Sequence, residues 1–281
     1  MLLTVPALVF VGVFFFAPVV EMGWMSLKSW PLLGHATFRG LGNYRELLHD
    51  TNFHHALVVS VVFVAAATPA TVLLGLGLAL LVNRPRPGVA IFRSIYFLPL
   101  VVGFAPAAYI WLWMLNPDVG PVDRLLDDLH LTSSPVQWLA NSGTAQFAAA
   151  TLFVWKTVGF SMLLLMGGMQ GIPTEIREAA AVDGAGKLRT LMSVTLPMMR
   201  RTIALVFVFS TVGSFLVFEP FFILTRGGPG HATTGIVQWV FSTSFFDYRL
   251  GYGAAGSLVL MVVLVAFTAV QLRAMKAEDP S

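Results

Sequence analysis

Residues 172–201 read IPTEIREAAAVDGAGKLRTLMSVTLPMMRR, and they form a polar segment between two long apolar stretches. Thr174 follows a proline and is a suitable helix N-cap, and acidic residues occupy the first turn, where the helix dipole favours them. The alanine run has high helix propensity, and Gly184 can end a helix in the left-handed conformation. We therefore predict a short helix, a tight turn and a second helix over 187–194, which Pro197 stops before the next apolar stretch.

Apolar stretches long enough to cross a bilayer flank this segment on both sides, because a membrane helix needs about 20 mostly apolar residues. They are long and continuous, which favours helices over the short alternating strands of a β-barrel. The stretches cover residues 2–27, 55–82, 92–115, 145–171, 202–224 and 253–272. We predict an all-α membrane protein with six transmembrane helices, one transmembrane domain over 1–281 and a cytoplasmic loop at 172–201. A shorter apolar segment at 237–246 is interpreted as an external amphipathic or re-entrant segment.

The composition excludes several classes of protein. Of the 281 residues, 57% are hydrophobic and only 11% are charged, and the mean hydropathy is +0.79. Soluble domains carry about 25% charged residues, so a soluble protein is excluded. The chain has no cysteine, which excludes a disulfide scaffold and thiolate metal sites. A net charge of +3 gives no support for a nucleic-acid partner.

The distribution of basic residues predicts the orientation, because cytoplasmic loops carry an excess of lysine and arginine. The loops after the second and fourth spans and the C-terminal tail are basic, whereas the loop after the third span is acidic. Both termini are therefore expected in the cytoplasm, although the basic residues after the first span oppose this assignment. The first span lacks a basic leading region and a small-x-small cleavage site, so it is expected to be retained rather than cleaved as a signal peptide.

The 172–201 segment also carries a spaced set of small, acidic and proline residues. The set is Glu178, Ala179, Ala180, Asp183, Gly184, Ala185, Leu196 and Pro197. Its spacing resembles the EAA loop of importer-type ABC permeases, in particular the binding-protein-dependent sugar permeases of the maltose and glycerol-phosphate type. Further matching segments are 41–44, 75–84, 92–99, 111–117 and 224–229, so the resemblance covers nearly the whole chain. The last of these is typical of the first of the two permease subunits. The sequence departs from the enterobacterial maltose subunit in having none of its extra helices or its large external loop, and a short basic N-terminal segment is expected to be missing from it.

The resemblance implies a division of labour in a bacterial inner membrane. A second homologous permease completes the pathway, an extracytoplasmic binding protein delivers the solute, and two ATPase subunits bind ATP and magnesium and pull on the EAA helix. This chain is then not an enzyme and holds no cofactor or metal of its own. Consistent with that, it contains no G-x-x-x-x-G-K-[ST] phosphate loop. A rigid helix fixed between two spans could pass a displacement to both of them.

The resemblance also places the solute site at mid-membrane on the fourth and fifth spans. The residues at that level are Trp155, Lys156, Thr157, Ser210 and Ser214. A charge inside a bilayer is costly, so three alternatives are open for Lys156: a structural ion pair with Glu219 or Glu21, snorkelling along its stem, or a contact with solute hydroxyls in a water-filled path. Ser210 and Ser214 share one helix face and serve either helix packing or the path.

Alternatives remain open at this point. The solute is a sugar or sugar derivative, or else glycerol phosphate or a glycerophosphodiester, which related permeases carry. An ion-coupled secondary transporter would need ion sites at broken helices and usually internal repeats, and neither is evident in the sequence. An intramembrane enzyme would need a convergent nucleophile, base or metal set, and none is visible.

Overall fold

The computed structural model describes residues 4–83, 87–132 and 134–277, with side chains up to residue 273. The chain divides into two units, one made of residues 1–59 and 234–266 and the other of residues 60–233 and 267–281. We call them the first unit and the second unit. The predicted coupling loop and all five predicted pathway residues belong to the second unit.

Helices dominate the described residues, and the one small sheet is an antiparallel pair of two-residue strands, β1 (Lys28–Ser29) and β2 (Thr37–Phe38). The helices are α1 (Val5–Ser26), α2 (Gly42–Leu47), α3 (Thr51–Val82), α4 (Val89–Val101), α5 (Phe104–Met114), α6 (Pro121–Asp128), α7 (Ser142–Gln170), α8 (Thr174–Val182), α9 (Lys187–Thr190), α10 (Leu196–Met198), α11 (Arg200–Phe215), α12 (Ile236–Phe245) and α13 (Leu250–Ala277). Wider π-helical turns lie at Gly12–Phe16, Leu191–Thr195 and Pro220–Thr225. The prediction of an all-α protein is confirmed.

Among the described residues, five helical segments are long and apolar enough to cross a membrane. They are Val5–Ser26, Thr51–Val82, Ser142–Gln170, Arg200–Thr225 and Leu250–Arg273. The helices α4 and α5 make a sixth span if they are counted together. The segment predicted as a short external element at 237–246 forms α12, and its side of the membrane stays a prediction.

The third predicted span, 92–115, is not the continuous helix that its composition indicates. It is broken after Val101 and bends by 100°. Val102 and Gly103 are extended, with ψ angles of 133° and 153°. In an unbroken helix the ring of Pro106 would clash with the carbonyl of Val102, four residues earlier. The break removes that clash and leaves carbonyl groups of the last turn of α4 without helical donors.

Helix α4 packs closely against α7 within the second unit. Gly159 of α7 makes this possible, since a Cβ atom there would overlap the carbonyl of Tyr96 and lie 3.0 Å from the Cα atom of Phe97. Small residues at membrane helix interfaces allow such close approach of two backbones. Elsewhere in this unit, Phe63 packs edge-on against Phe153 and Phe221.

The first unit is held together by polar contacts around α2. The buried amide of Asn43 donates to the carbonyls of Ser26 and Lys28 at 2.7 and 2.9 Å. Glu46 accepts from Arg39 at 2.8 Å and from Arg249 at 2.6 Å. Partial burial favours the neutral acid, but the hydrogen bonds and charges of the two arginines outweigh it and hold the pKa of Glu46 below its ordinary value.

Candidate functional site

The predicted coupling loop begins with α8, a nine-residue helix. The helix starts at Thr174, and the residue before it, Pro173, occupies the cap position with extended backbone and no capping side chain. The prediction that Thr174 is the N-cap is therefore wrong by one residue. Pro173 has a ψ angle of 139°, which sets the entry angle, and Thr174 already has helical geometry.

Helix α8 ends in the left-handed turn that the sequence predicts at Gly184. Its φ angle is +74°, a conformation that glycine adopts at little cost. The amide of Gly184 donates to the carbonyl of Ala181 at 3.1 Å, and the amide of Ala185 donates to that of Ala180 at 2.9 Å. These two bonds form a Schellman motif, which satisfies carbonyls at the helix end and fixes the direction of the following chain.

The second half of the loop is helical for longer than predicted. Helix α9 continues through the π-helical turn Leu191–Thr195 into α10, which contains Pro197. The prediction that Pro197 stops the helix is wrong. Proline has no N–H and would clash with a carbonyl four residues earlier in a regular helix, and the wider turn just before it makes room for the ring. The chain then passes through Met199 into α11.

One side of α8 is turned to solvent. Glu178, Ala179 and Asp183 are exposed, and Val182 retains 88% of its surface. Arg177 and Ala185 are half-buried, since they face the ends of the neighbouring helices. The exposed side thus combines small, apolar and acidic side chains on a rigid support, while Leu196 and Pro197 lie at the start of α10.

Lys156 lies at the broken helix. It is only 3% exposed, and its ammonium group donates to the carbonyls of Pro99 at 3.1 Å, of Leu100 at 3.3 Å and of Val102. The same nitrogen lies 4.7 Å from the centre of the Phe104 ring, a cation–π contact. An ammonium has three N–H donors, so these acceptors account for all of them.

The acid whose charge acts on Lys156 is Glu219, just before the π-helical turn Pro220–Thr225. The direct hydrogen bonds of the ammonium, however, go to backbone carbonyls. This arrangement was not predicted, because the partners expected for Lys156 were an acid, water or the solute. Pro106 was the available signal, since it marks the carbonyl of Val102 as one that cannot stay inside a regular helix.

The other predicted pathway residues lie on α7 and α11. Trp155 is 38% exposed, with its ring 5.9 Å from that of Trp111, and the Thr157 hydroxyl donates to the carbonyl of Phe153. On α11, Ser210 and Ser214 are both buried.

The hydroxyl of Ser214 links two helices. It donates to the carbonyl of Ser210 at 2.7 Å, and its oxygen lies 3.3 Å from the hydroxyl of Thr68 on α3. Sequence analysis did not single out Thr68, since a lone threonine in an apolar span carries no signal of its partner. The same is true of Gln271, which donates to Thr211 at 2.9 Å.

Comparison with known proteins identifies the family. Residues 71–276 match the family model of the binding-protein-dependent transport system inner membrane component. The chain is 34% identical over 274 residues to the trehalose/maltose transport system permease protein MalF of Thermococcus litoralis, covering 97% of this chain and 92% of that protein. It is 33% identical over 276 residues to the sn-glycerol-3-phosphate transport system permease protein UgpA of Salmonella typhimurium, with coverage of 97% and 92%.

A solved structure supports the same assignment at the level of the fold. A chain of the bacterial alginate ABC transporter, crystallised with a periplasmic protein carrying an alginate pentasaccharide, superposes with a TM-score of 0.83 at 20% identity. The match covers 96% of this chain and 91% of that chain. The arrangement of apolar helices is therefore that of a chain of an ABC transporter, and by its family match the chain is a member of the family of inner membrane components of binding-protein-dependent transport systems.

Proposed function

We propose that the chain is one of two homologous permease subunits of an ATP-driven importer for a sugar or sugar derivative. In this proposal an extracytoplasmic binding protein delivers the solute, and two partner ATPase subunits bind ATP and magnesium. The family membership supports the binding protein, and the names of the relatives support the solute class. The termini and the coupling loop then face the cytoplasm, in accord with the basic residues of the loops.

The observation that carries the proposal is the geometry of α8. Its C-terminal end is fixed by two backbone hydrogen bonds, and after the turn at 183–186 a run of helical turns from α9 to α10 leads to α11. A partner that moves the exposed side of α8 would therefore move the following span with it, as a packed rigid body. Glu178, Ala179, Val182 and Asp183 present the surface on which the ATPase would act.

The solute path is proposed along α7 and α11. Trp155 offers a partly exposed aromatic face and Thr157 a hydroxyl group on the same helix, and Ser210 and Ser214 are buried hydroxyls of α11. In this proposal Lys156 does not contact the solute. It stabilises the backbone of the broken span next to the path.

Glycerol phosphate or a glycerophosphodiester is the alternative solute class, because one of the relatives is a glycerol-phosphate permease. An ion-coupled mechanism has less support. Broken helices in secondary transporters use freed carbonyls to bind ions. Here the freed carbonyls are held by the built-in cation of Lys156.

The experiment is transport by the complete complex in vesicles. Uptake of radiolabelled maltose or trehalose should need ATP inside, the binding protein outside and both permeases, and it should survive a protonophore. Uptake of radiolabelled glycerol 3-phosphate but not of the sugars would identify the alternative solute. Uptake that continues without ATP and stops with the protonophore would contradict the proposal.

A charge reversal on α8 tests the coupling surface in the same vesicles. Glu178→Lys changes an exposed side chain, so the complex should assemble but lose stimulation of ATP hydrolysis by the binding protein. Arg124→Gln, an exposed residue of α6 on the predicted opposite side of the membrane, is the matched control and should keep normal stimulation. Normal stimulation in Glu178→Lys would remove α8 from the coupling step.

A further inference from the structure

A cavity of about 420 Å³ lies between the coupling loop and the ends of two apolar helices. On one side it is lined by Leu80, Asn83 and Met169, at the ends of α3 and α7, and on the other by Arg177, Lys187 and Thr190 of the loop. We call it the inner pocket. Its volume falls within the range of about 300–1,000 Å³ that is typical of small-molecule sites.

The inner pocket is positively charged. Two of its lining residues are cations, and no acidic side chain of the described residues lines it. The acids of α8 lie elsewhere, because Glu178 falls on the exposed side of the helix while Arg177 turns inward. The guanidinium of Arg177 donates one hydrogen bond, at 3.4 Å, to the carbonyl of Ile172. A guanidinium has five N–H donors, so this bond uses one of them.

The lining of the pocket combines apolar and polar side chains. Met169 and Ile172 are buried and offer apolar surface, whereas the buried Thr195 and the half-buried Asn83 and Thr190 add polar groups beside the cations. The pocket lies at the ends of α3 and α7, which we expect to reach the headgroup level of the membrane there. The phosphate and the first acyl carbons of a phospholipid would use both kinds of contact.

Arg93, a basic residue outside the pocket near the end of α3, has a purely structural role for comparison. Arg93 donates twice to the carbonyl of Val82, at 3.2 and 2.6 Å, and so caps the end of that helix. Arg177 and Lys187 instead converge on a cavity. Basic pockets between membrane helices, at the level of the headgroups, are known binding sites for anionic lipids.

We propose that the inner pocket binds a phosphate group, supplied by the headgroup of an anionic phospholipid, between Arg177 and Lys187. A lipid held there touches the inward side of α8 and the ends of two spans at once. The lipid composition of the membrane would then influence how firmly the coupling loop is held. This goes beyond the proposed function, and it rests on that proposal only for the view that the loop couples ATP hydrolysis to transport.

The absence of cysteine from the chain permits a direct test of occupancy. The complete complex carrying Thr190→Cys is placed in nanodiscs of phosphatidylcholine, with or without phosphatidylglycerol, and the rate of maleimide alkylation is measured. Phosphatidylglycerol should slow alkylation at least about fivefold, since each nearby cation contributes about that factor in affinity for an anionic lipid. Asp127→Cys, an exposed site of α6 away from the coupling surface, is the matched reporter and should react at the same rate in both lipids.

Charge removal then tests which residues bind. In nanodiscs that contain phosphatidylglycerol, Arg177→Gln and Lys187→Gln should each increase the alkylation rate of Thr190→Cys about fivefold. Arg189→Gln removes an exposed cation outside the pocket and should leave that rate unchanged. Inorganic phosphate added to phosphatidylcholine nanodiscs separates the two sources. If millimolar inorganic phosphate slows the alkylation of Thr190→Cys, the pocket binds phosphate, but from a soluble anion and not from a lipid.

Two results would overturn the proposal. If Thr190→Cys reacts as fast as the exposed reporter Asp127→Cys in both lipids, nothing anionic occupies the inner pocket. If Thr190→Cys is slower than the reporter by the same factor in both lipids, protein fills the pocket, for example an acidic segment of the ATPase. Because alkylation needs no ATP hydrolysis, either failure is distinguishable from a failure of the proposed transport function.

Discussion

The ammonium nitrogen of Lys156 lies 3.1 Å from the carbonyl oxygen of Pro99, in the last turn of α4 before its break. Together with the bonds to Leu100 and Val102, this contact places a buried positive charge on carbonyls that the bend has freed. Water is absent from the bilayer core, so such carbonyls need a donor from the protein itself. The lysine that a sequence analysis singles out as a cost is therefore also a means of stabilising the break.

Replacement of Lys156 should weaken the broken span. Lys156→Met removes a charge from the membrane, which avoids an insertion free energy of about 2.5–3.5 kcal/mol. It also leaves three carbonyls without their donor, at about 1–3 kcal/mol each. The cost of the three unpaired carbonyls together exceeds the gain from removing the charge at most values in these ranges. The midpoint of thermal unfolding of the detergent-solubilised complex should therefore fall. The double variant with Glu219→Gln should recover part of the loss, because it removes the acid left without its counter-charge. A Lys156→Met complex of normal stability with altered solute preference would favour direct solute contact instead.

Close packing of α4 on α7 should be sensitive to one methyl group. Gly159→Ala would push a Cβ atom into the carbonyl of Tyr96, and overpacking of this kind costs about 1–3 kcal/mol. Gly167→Ala lies on the same helix with open space around it, and the higher helix propensity of alanine should make it neutral or slightly stabilising. Thermal unfolding of the two variants in the same detergent provides the comparison. Equal stability would mean that the two helices are not in this close contact.

The left-handed turn after α8 should be needed for coupling. Gly184→Val places a β-branched residue at a φ angle of +74°, a strain of about 1–2 kcal/mol or more. The complex should insert and assemble but show reduced ATP hydrolysis in response to the binding protein. Gly186→Ala is the matched control, since Gly186 has a φ angle of −67° and open space around it, and it should behave as wild type. The same defect in both variants would trace the effect to flexibility rather than to the turn.

Cysteine labelling tests the predicted orientation. Asp127→Cys on α6 and Arg189→Cys on α9 are both exposed sites in a chain without other cysteines. An impermeant maleimide should label Asp127→Cys in intact cells and Arg189→Cys only in inverted vesicles. Labelling of both from one side would contradict the six-span orientation.

Acid should weaken the first unit through Glu46. Because the pKa of Glu46 in the folded protein is lowered, its contribution is complete above the ordinary value of 4.5 and is lost as the pH falls through the folded value. The two ion pairs are partly exposed, so solvent screening limits the effect to about 1 kcal/mol or less. The unfolding midpoint of wild type should fall further than that of Glu46→Gln when the pH is lowered below 4.5. If the unfolding midpoints of wild type and Glu46→Gln fall in parallel as the pH is lowered, Glu46 does not contribute to the stability of the folded protein.

The features that the sequence predicts correctly are those with a local physical cause. Apolar stretches become helices because a membrane leaves backbone groups no other partner, and Gly184 adopts the left-handed turn because few other residues do so at low cost. Errors arose where the backbone departs from a regular helix. The break in the third span follows from Pro106 acting on the carbonyl of Val102, and the error at Pro197 follows from a π-helical turn that composition does not reveal.

The candidate site divides in the same way. The position of α8 follows from its own residues, whereas the partners of Lys156 are backbone carbonyls, which have no signature in a sequence. The contact between Thr68 and Ser214 joins residues 146 positions apart, and neither hydroxyl identifies the other. Such pairings depend on how the helices pack, and this information becomes available only from the folded chain.

The π-helical turn Leu191–Thr195 also constrains how this loop can evolve. Such a turn holds one residue more than an α-helical turn, so deleting Ser193 would restore a regular helix. Because the wider turn accommodates its extra residue, the deletion would leave the direction of α8 relative to α11 nearly unchanged. It would, however, bring the ring of Pro197 against the carbonyl four residues earlier, which the wider turn now avoids. Loss of the turn should therefore be tolerated more readily together with replacement of Pro197 than alone.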